Sequence, residues 1–486
     1  MFSAWGVLPM ATKDRAALAV VPFLQRESLY VGIDVGKKEH VAAFVSRTLL
    51  ESHKRYEACP VLKFENGRLG FRALVTRIGE YVPLEQAFVL VEKTGHYHLA
   101  LRDYLLEMDL TVHEIAPMER KREMLKTDKR DAQRLANQLY NQLELHAQVA
   151  DKKQVVRLAL PTSGVARELR GLVGHRAELV REATQRKNKL TSICDQLFPE
   201  FIQVFKNPNG ETALAIRAKC PTAHAIATAP LSALCALRTG TRPSRADLAR
   251  LQDLAAQTIG VRDHLSQRAL AFEQGVLIEE LLLLQRNIGK VEAQVEETVS
   301  ISREGRILTS VPGVGSQTAA TLIAAIGNVL NFPKASDLKS YLGWSPHQMQ
   351  TGTTMDRVSL SPTGTRATRT LLYLAVARAI QDDCQWKHLY ERLVPKKCSY
   401  DERKRDYVGK EKVIGRIAGE MISTIYMLLK TDAELLATIP PDMQPPDPML
   451  YDPAVHQAHV AGAYVPAKRR AVPARITRLP QRTEGS

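Results

Sequence analysis

No Cys-x-x-Cys pair occurs anywhere in these 486 residues; the six cysteines stand apart at 59, 194, 220, 235, 384 and 398. That scatter argues against a zinc ribbon or a disulfide scaffold and fits a reducing cytoplasm. A membrane-spanning apolar run is also missing. The short run Ala16–Leu24, preceded by Lys13 and Arg15, mimics a secretory signal, yet no small-residue cleavage site separates it from the strand beginning at Tyr30. The expectation is a soluble chain with no membrane partner, whose residues 1–28 form a disordered extension. Acidic surplus is lacking too: 67 Lys and Arg outnumber 52 Asp and Glu, a net charge of +15. Such a balance favours an anionic partner, with nucleic acid and a membrane surface as the candidates. Finally, the chain has no second Asp-x-Gly phosphate turn and no glycine-rich adenosine motif. A sugar kinase or actin-like ATPase would need both, although it too opens with a strand bearing Asp and Gly.

What is present suggests two to four domains, with 45% hydrophobic residues to fill their cores. Between residues 29 and 150, short apolar runs alternate with helical stretches. YVGIDVG (30–36) reads as a buried strand, HVAAFV (40–45) as its hairpin partner, and FVLVEKTG (88–95) and TVHEIAP (111–117) as further strands. Met118–Gln142 has helical periodicity, so this part is an α/β domain with a mixed sheet. Residues 164–300 hold two long amphipathic helices, read as an antiparallel coiled coil or a dimerising arm, with an insertion near 206–249. Residues 301–432 form a helical domain, and 433–486 a Pro-rich, basic tail that touches phosphates.

Four acids stand where acids are structurally awkward. Asp34 interrupts the apolar strand YVGIDVG, and Glu92 ends the run FVLV at a strand's carboxyl edge. Asp128 and Asp131, in KTDKRDAQRLA, are three apart and share a helix face. Singly, each has a plain alternative: a turn at Gly36 for Asp34, salt bridging to Lys126, Lys129, Arg130 and Arg134 for the helical pair. Together they suit two hard cations, Mg2+ or Mn2+, clamping the attacking and leaving oxygens of a phosphodiester. Lys126, Lys129 and Arg130 beside them are suited to hold a phosphate backbone.

ILTSVPGVGSQTAATLIAAIG (307–327) reads as a helix–hairpin–helix, in which Gly313 and Gly315 let a DNA backbone approach. Its plain alternative is a tight helical turn. The stretch 338–375 follows; its hydroxyl-rich centre reads as a polar loop suited to presenting a nucleophile, and its end as a basic amphipathic helix carrying Arg366 and Arg369.

These motifs resemble the DEDD-type insertion-sequence transposases (the IS-one-hundred-and-ten family), related to the pilin-gene inverting recombinases. The match rests on GIDVGKKEH, VEKTGHYH, KTDKRDAQRLA, VPGVGSQTAATLIAAIG, YLGWSP and SPTGTRATRTLL, in the family's order. The resemblance implies a RuvC-like, ribonuclease-H-type first domain with an acidic tetrad at Asp34, Glu92, Asp128 and Asp131. It implies a coiled-coil connection, a C-terminal transposase domain supplying a serine nucleophile, and magnesium-dependent cleavage and strand transfer in a bacterial cytoplasm, near the nucleoid. Family members act as homo-oligomers on element ends and target DNA, and some use a guide RNA from their own element. One departure stands out: the serine's stretch here reads Gln350-Thr351-Gly352, leaving Thr351 as the nearest hydroxyl. Two rivals follow, a junction nuclease of the same fold and a non-catalytic DNA-binding relic.

Overall fold

The computed structural model describes residue 24 and residues 26–93, 95–117, 127–148, 155–159, 162–351, 355–360, 364–440 and 442–456. Residues 1–23 of the expected extension 1–28, residues 118–126 with Lys126, and residues 457–486 of the expected tail 433–486 lie outside them. The end of the expected extension is ordered instead: Leu24 is buried and donates its N–H to the Tyr81 carbonyl at 2.8 Å, and Glu27 accepts from the Thr48 hydroxyl at 2.7 Å. The chain divides into two compact units, one ending at Pro161 and the other starting at Thr162.

In the first unit, β1 (Leu29–Val35) and β2 (Glu39–Val45) form an antiparallel hairpin that sets Tyr30 against Val45 and Val35 against His40. Helix α1 (Arg47–His53) follows, capped by the Ser46 side chain. β3 (Val61–Glu65) then pairs antiparallel with β2, and α2 (Arg68–Tyr81) leads to β4 (Ala87–Glu92), parallel to β1. Helix α3 (His98–Glu107) connects to β5 (Thr111–Ile115), parallel to β4. Helix α4 (Asp128–Leu143) and the short edge strand β6 (Arg157–Leu158) complete a sheet of order β3-β2-β1-β4-β5-β6. This mixed sheet with its helices fits a ribonuclease-H-like domain.

β1 and β4 are apolar on both faces because helices cover both. The ring of Phe71 on α2 meets that of His40, and Tyr81 that of Phe44, so α2 lies on the β2 face carrying His40 and Phe44. α4 covers the other face, and its position along β1 is fixed residue by residue. Tyr30 packs edge-on against Tyr140, 5.4 Å between ring centres, and its hydroxyl donates to Glu144. Two residues further along β1, a Cβ on Gly32 would lie 2.1 Å from the Ala136 nitrogen and 2.5 Å from the Ala132 oxygen. A two-residue step on a strand and a four-residue step on a helix both advance roughly 6 Å. α4 therefore runs antiparallel to β1, backbone against backbone.

The second unit opens with α5 (Gly164–Leu197), followed by the short helices α6 (Glu211–Lys219), α7 (Ala223–Thr228), α8 (Leu231–Ala236) and α9 (Arg245–Ala256). These short helices share an apolar cluster with the end of α5, including Phe198, Phe201 and Leu251. The segment expected as an insertion thus has its own small core. α10 (His264–Ile301) returns antiparallel along α5: Arg176 meets Glu292 at 2.5 Å, Arg186 meets Glu280 at 2.8 Å, and Lys189 meets Glu273 at 3.3 Å.

Helices α11 (Arg303–Thr309), α12 (Ser316–Ile326) and α13 (Ala335–Tyr341) lead to a hairpin of β7 (Pro346–Thr351) and β8 (Met355–Leu360). After it come α14 (Arg366–Ala379), α15 (Gln385–Lys397), a ribbon of β9 (Ser399–Asp401) and β10 (Asp406–Val408), and α16 (Glu411–Thr438). One core joins Ala166 and Leu169 of α5 and Val295 and Val299 of α10 to the helices from α11 to α16. The ends of the helical pair are therefore part of the C-terminal core, and no break falls at residue 300. α16 continues six residues past the expected boundary at Asp432, since Ala433–Thr438 are acceptable helix residues and the first proline is Pro440. Among the described residues, no helix is long and apolar enough to cross a membrane. All six cysteines are free thiols.

Two expectations test this packing. Gly32→Ala would drive a methyl into the α4 backbone and should destabilise the first unit by about 3 kcal/mol or more, read by urea unfolding. A wild-type midpoint would mean that α4 does not rest on β1. The second concerns His113 on β5, which is 7% exposed and whose Nδ1 has no hydrogen-bond partner among the described residues. Burial lowers its pKa to about 4, against roughly 6.5 for a free imidazole. The folded state binds the proton less well than the unfolded one. Stability is thus full above pH 6.5 and declines as pH falls toward 4, by about 3 kcal/mol. His113→Leu should remove that part of the decline between pH 7.5 and 4.5; an unchanged decline would exonerate His113.

Candidate functional site

β1 pairs in parallel with β4 as far as Ile33 against Val91, so the next residues, Asp34 and Glu92, stand level at the carboxyl end of the sheet. The same row continues outward, because Asp34 faces Val41 and Val41 faces Lys63. Residues level across a sheet point to one face, and for this row it is the face of Gly32, covered by α4. Tyr30 meets Tyr140 and Gly32 meets Ala136 and Ala132. One further step on each element aligns Asp34 with the first turn of α4, which carries Asp128 and Asp131. All four predicted acids thus come to one edge of the sheet from three elements.

Their environments differ. Glu92 is 4% exposed and Asp131 6% exposed, whereas Asp34 is half-buried and Asp128 is exposed. Thr127 caps α4 by accepting from the Arg130 backbone N–H at 3.3 Å. An acidic first turn suits the positive end of the helix dipole. Asp131 Oδ1 lies 3.7 Å from an Arg134 guanidinium nitrogen. Among the described residues, no three His, Cys, Asp or Glu side chains are grouped so as to hold a metal ion. The fold delivers the four carboxylates to one edge without closing them into a chelate.

Two neighbours of this edge escaped the sequence reading. Lys63 of β3 sits at the end of the carboxylate row, paired with Glu39 at 2.6 Å. Its pKa is raised, first by the hydrogen bond to Glu39 and further by the charge of Asp128. The only sequence signal was the short stretch VLKFE, too brief and too exposed to be read as a strand. On the opposite face, Lys93 Nζ lies 2.5 Å from Glu114, and the Arg102 guanidinium approaches the same carboxylate at 3.2 Å. Burial alone would raise the pKa of Glu114, but the hydrogen bonds and charges of Lys93 and Arg102 outweigh it and hold the pKa below the ordinary value. This network ties the residue following Glu92 to β5 and α3. His98 is buried, and His96 is exposed with its ring against Tyr97.

Lys129 and Arg130 are exposed on the first turn of α4; Lys126 lies outside the described residues. In the second unit, Arg366 is exposed and Arg369 half-buried on α14, a helix that also exposes Tyr373 and Arg378. Gly315 caps α12, with an Arg378 nitrogen 3.6 Å from where its Cβ would be. Gly313 has φ +82°, and a Cβ there would lie 2.2 Å from the Ala375 oxygen of α14. Close packing between helices therefore already demands glycine at this position. Thr351 is the last residue of β7, opposite Met355 and next to the hairpin turn, whose residues 352–354 lie outside the described ones. The stretch expected as a polar loop is mostly paired strand.

Comparison with known proteins agrees with this layout. A family model described as "Transposase" matches residues 31–199, which include the whole carboxylate edge. A second, described as "Transposase IS116/IS110/IS902 family", matches residues 305–391, from α11 into α15. An insertion element IS110 uncharacterized 43.6 kDa protein of Streptomyces coelicolor is 26% identical over 277 residues, 55% of this chain and 64% of the relative. The transposase for insertion sequence element IS1111A of Coxiella burnetii is 28% identical over 119 residues, 24% of this chain and 31% of the relative. An insertion element IS900 uncharacterized 42 kDa protein of Mycobacterium paratuberculosis is 23% identical over 372 residues, 75% of this chain and 89% of the relative. The chain thus spans less than two thirds of the first two relatives. Both matched segments occur in one polypeptide, and the chain belongs to the IS116/IS110/IS902 family of transposases.

Proposed function

We propose that this protein is the transposase of a bacterial insertion sequence, cutting DNA and transferring strands with Asp34, Glu92, Asp128 and Asp131 as its metal-holding acids. The observation that carries the reading is the α4–β1 register, which aligns the first turn of α4 with the level pair Asp34 and Glu92. In kind, the donor set fits Mg2+ or Mn2+: it is all carboxylate, and two of its members are nearly dry. Bound there, the metal would supply Lewis-acid activation of the scissile phosphate and its nucleophile. The protein's own cations have the complementary task. Lys63, Lys129 and Arg130 flank the acids and suit the phosphates on either side of the cut, and Lys126 belongs to the same basic run. In the second unit, the N-terminus of α12 at Gly315 with Arg378, and Arg366 and Arg369 of α14, suit further phosphates. Gly313 serves that surface by letting α12 and α14 pack closely.

For strand transfer, Thr351 is the candidate nucleophile. Its oxygen would attack the phosphorus, the phosphodiester P–O bond would break, and the departing sugar hydroxyl would take up a proton. The product is a covalent phosphothreonine link to DNA. Homo-oligomer formation belongs to the same proposal. In its support, Leu265, Phe272, Val276 and Leu283 lie at seven- and four-residue spacings along an exposed stripe of α10. A guide RNA from the element and a nucleoid-associated location in the cytoplasm remain parts of this reading.

Asp34→Asn should abolish magnesium-dependent cleavage of an element-end duplex while leaving its binding nearly unchanged. Survival of cleavage would remove Asp34 from the metal site. Thr351→Ala should eliminate a covalent protein–DNA adduct, detected as a slow-migrating band on denaturing gels, and Thr351→Ser should retain or increase it. Metal-dependent nicking without an adduct in parent or Ser variant would favour a junction nuclease instead.

A further inference from the structure

Between α15 and α16 the chain makes a small antiparallel ribbon that lies beyond both matched segments. β9 and β10 pair Ser399 with Val408, Tyr400 with Tyr407 and Asp401 with Asp406, joined by Glu402-Arg403-Lys404-Arg405. A two-stranded ribbon on its own is only marginally stable in water, so its anchoring matters. Tyr407 supplies it: half-buried, it packs against the C-terminal core and takes the edge of Tyr400, with ring centres 5.2 Å apart. Tyr400 itself is 56% exposed.

Of the ribbon's three acids, Glu402 is exposed at the tip, while Asp401 and Asp406 accept hydrogen bonds from neighbouring groups. Asp401 Oδ1 accepts from the backbone N–H groups of Arg403 and Lys404, at 2.9 and 3.2 Å, which shapes the turn. Asp406 accepts from the Tyr407 N–H and from Lys410 Nζ at 2.6–2.7 Å, and the Lys410 hydrogen bond leads in lowering its pKa. Arg403, Lys404 and Arg405 are all exposed, consecutive at the tip. From residue 396 to 412 the chain has seven Lys or Arg against four Asp or Glu. Arg405 moreover adopts φ +51°, a left-handed conformation in which glycine or asparagine would be the easier residue. A long cation thus stands where the backbone would more easily take a glycine or asparagine.

We propose that the β9–β10 ribbon is a DNA-contacting wing that enters a groove of duplex DNA. Its three tip cations grip phosphates, and Tyr400 packs along the groove wall. The major groove is roughly 12 Å wide and admits a two-stranded ribbon. The proposal rests on reading the chain as acting on DNA, and adds a contact outside the segments that define the family.

The test uses the full chain and a fluorescent duplex, with affinity measured against salt by anisotropy. Replacing the three cations together (R403Q, K404Q, R405Q) should lower the salt-dependence slope by about 2 to 3, since each lost phosphate contact removes roughly 0.9. The charge-retaining double variant (R403K, R405K) should keep the parent slope. Arg405→Gly separates contact from folding. It relieves the left-handed backbone, so thermal stability should hold or rise while the slope falls by about 1. Parent-like slopes in both the triple glutamine variant and Arg405→Gly would overturn the wing while leaving DNA binding intact. Absence of duplex binding by the parent would overturn the proposed function itself, and the wing with it. Loss of affinity for a structured RNA alone, with the duplex slope unchanged, would also overturn the wing.

Discussion

The approach of the α4 backbone to β1 at Gly32 governs the geometry of the first unit. A helix normally rests on a sheet through side chains and keeps some freedom to slide or roll. Here the hydrogen of Gly32 faces the peptide groups of Ala132 and Ala136 directly, and both neighbours are fully buried. Such contact between backbones admits one axial position and one rotation. Tyr30 against Tyr140 reinforces the same register from the other end. The phase of α4 then determines which residues of its first turn face the end of the sheet, and these are acids.

The acids of this region sit in unlike environments. Asp128 is exposed at a helix N-terminus, where a carboxylate is electrostatically welcome. Glu92 and Asp131 are buried in the same region, and a buried charge is costly unless it is compensated. Glu114, on the other face of the edge, has two cations for compensation and a lowered pKa to match. Asp131 in turn has the Arg134 guanidinium 3.7 Å from its Oδ1.

Much of this was legible from apolar periodicity. The strands around Ile33, Phe44, Leu90 and Val112 are buried and nearly continuous in apolar residues, and α5 and α10 repeat at three and four. Other elements were hidden for physical reasons. β3 is a short strand whose Val61 is exposed, so VLKFE lacks the alternation of a half-buried strand, and Lys63 went unnoticed with it. Residues 346–360 were read as a loop from their hydroxyls and turn formers, yet they pair across six positions from Pro346–Leu360 to Thr351–Met355. Gly313 was read for phosphate approach, but sequence carries no sign of the helix that crosses it, 62 residues later at Ala375. Local pattern reports a residue's own element well and its distant neighbour poorly.

The pairing of residues 346–360 also bears on the absence of the family's serine. A nucleophile on a loose loop must be ordered before it can attack, whereas one at the end of a hydrogen-bonded strand is held by its ladder. Thr351 ends β7 beside the turn, and threonine is among the residues that strands favour. The branching that restricts its χ1 therefore has two opposed effects. β-branching favours an extended backbone, and in the proposed attack it would limit the rotamers from which a hydroxyl reaches phosphorus. With a serine the balance shifts the other way, toward freer rotation on a less strongly strand-forming residue.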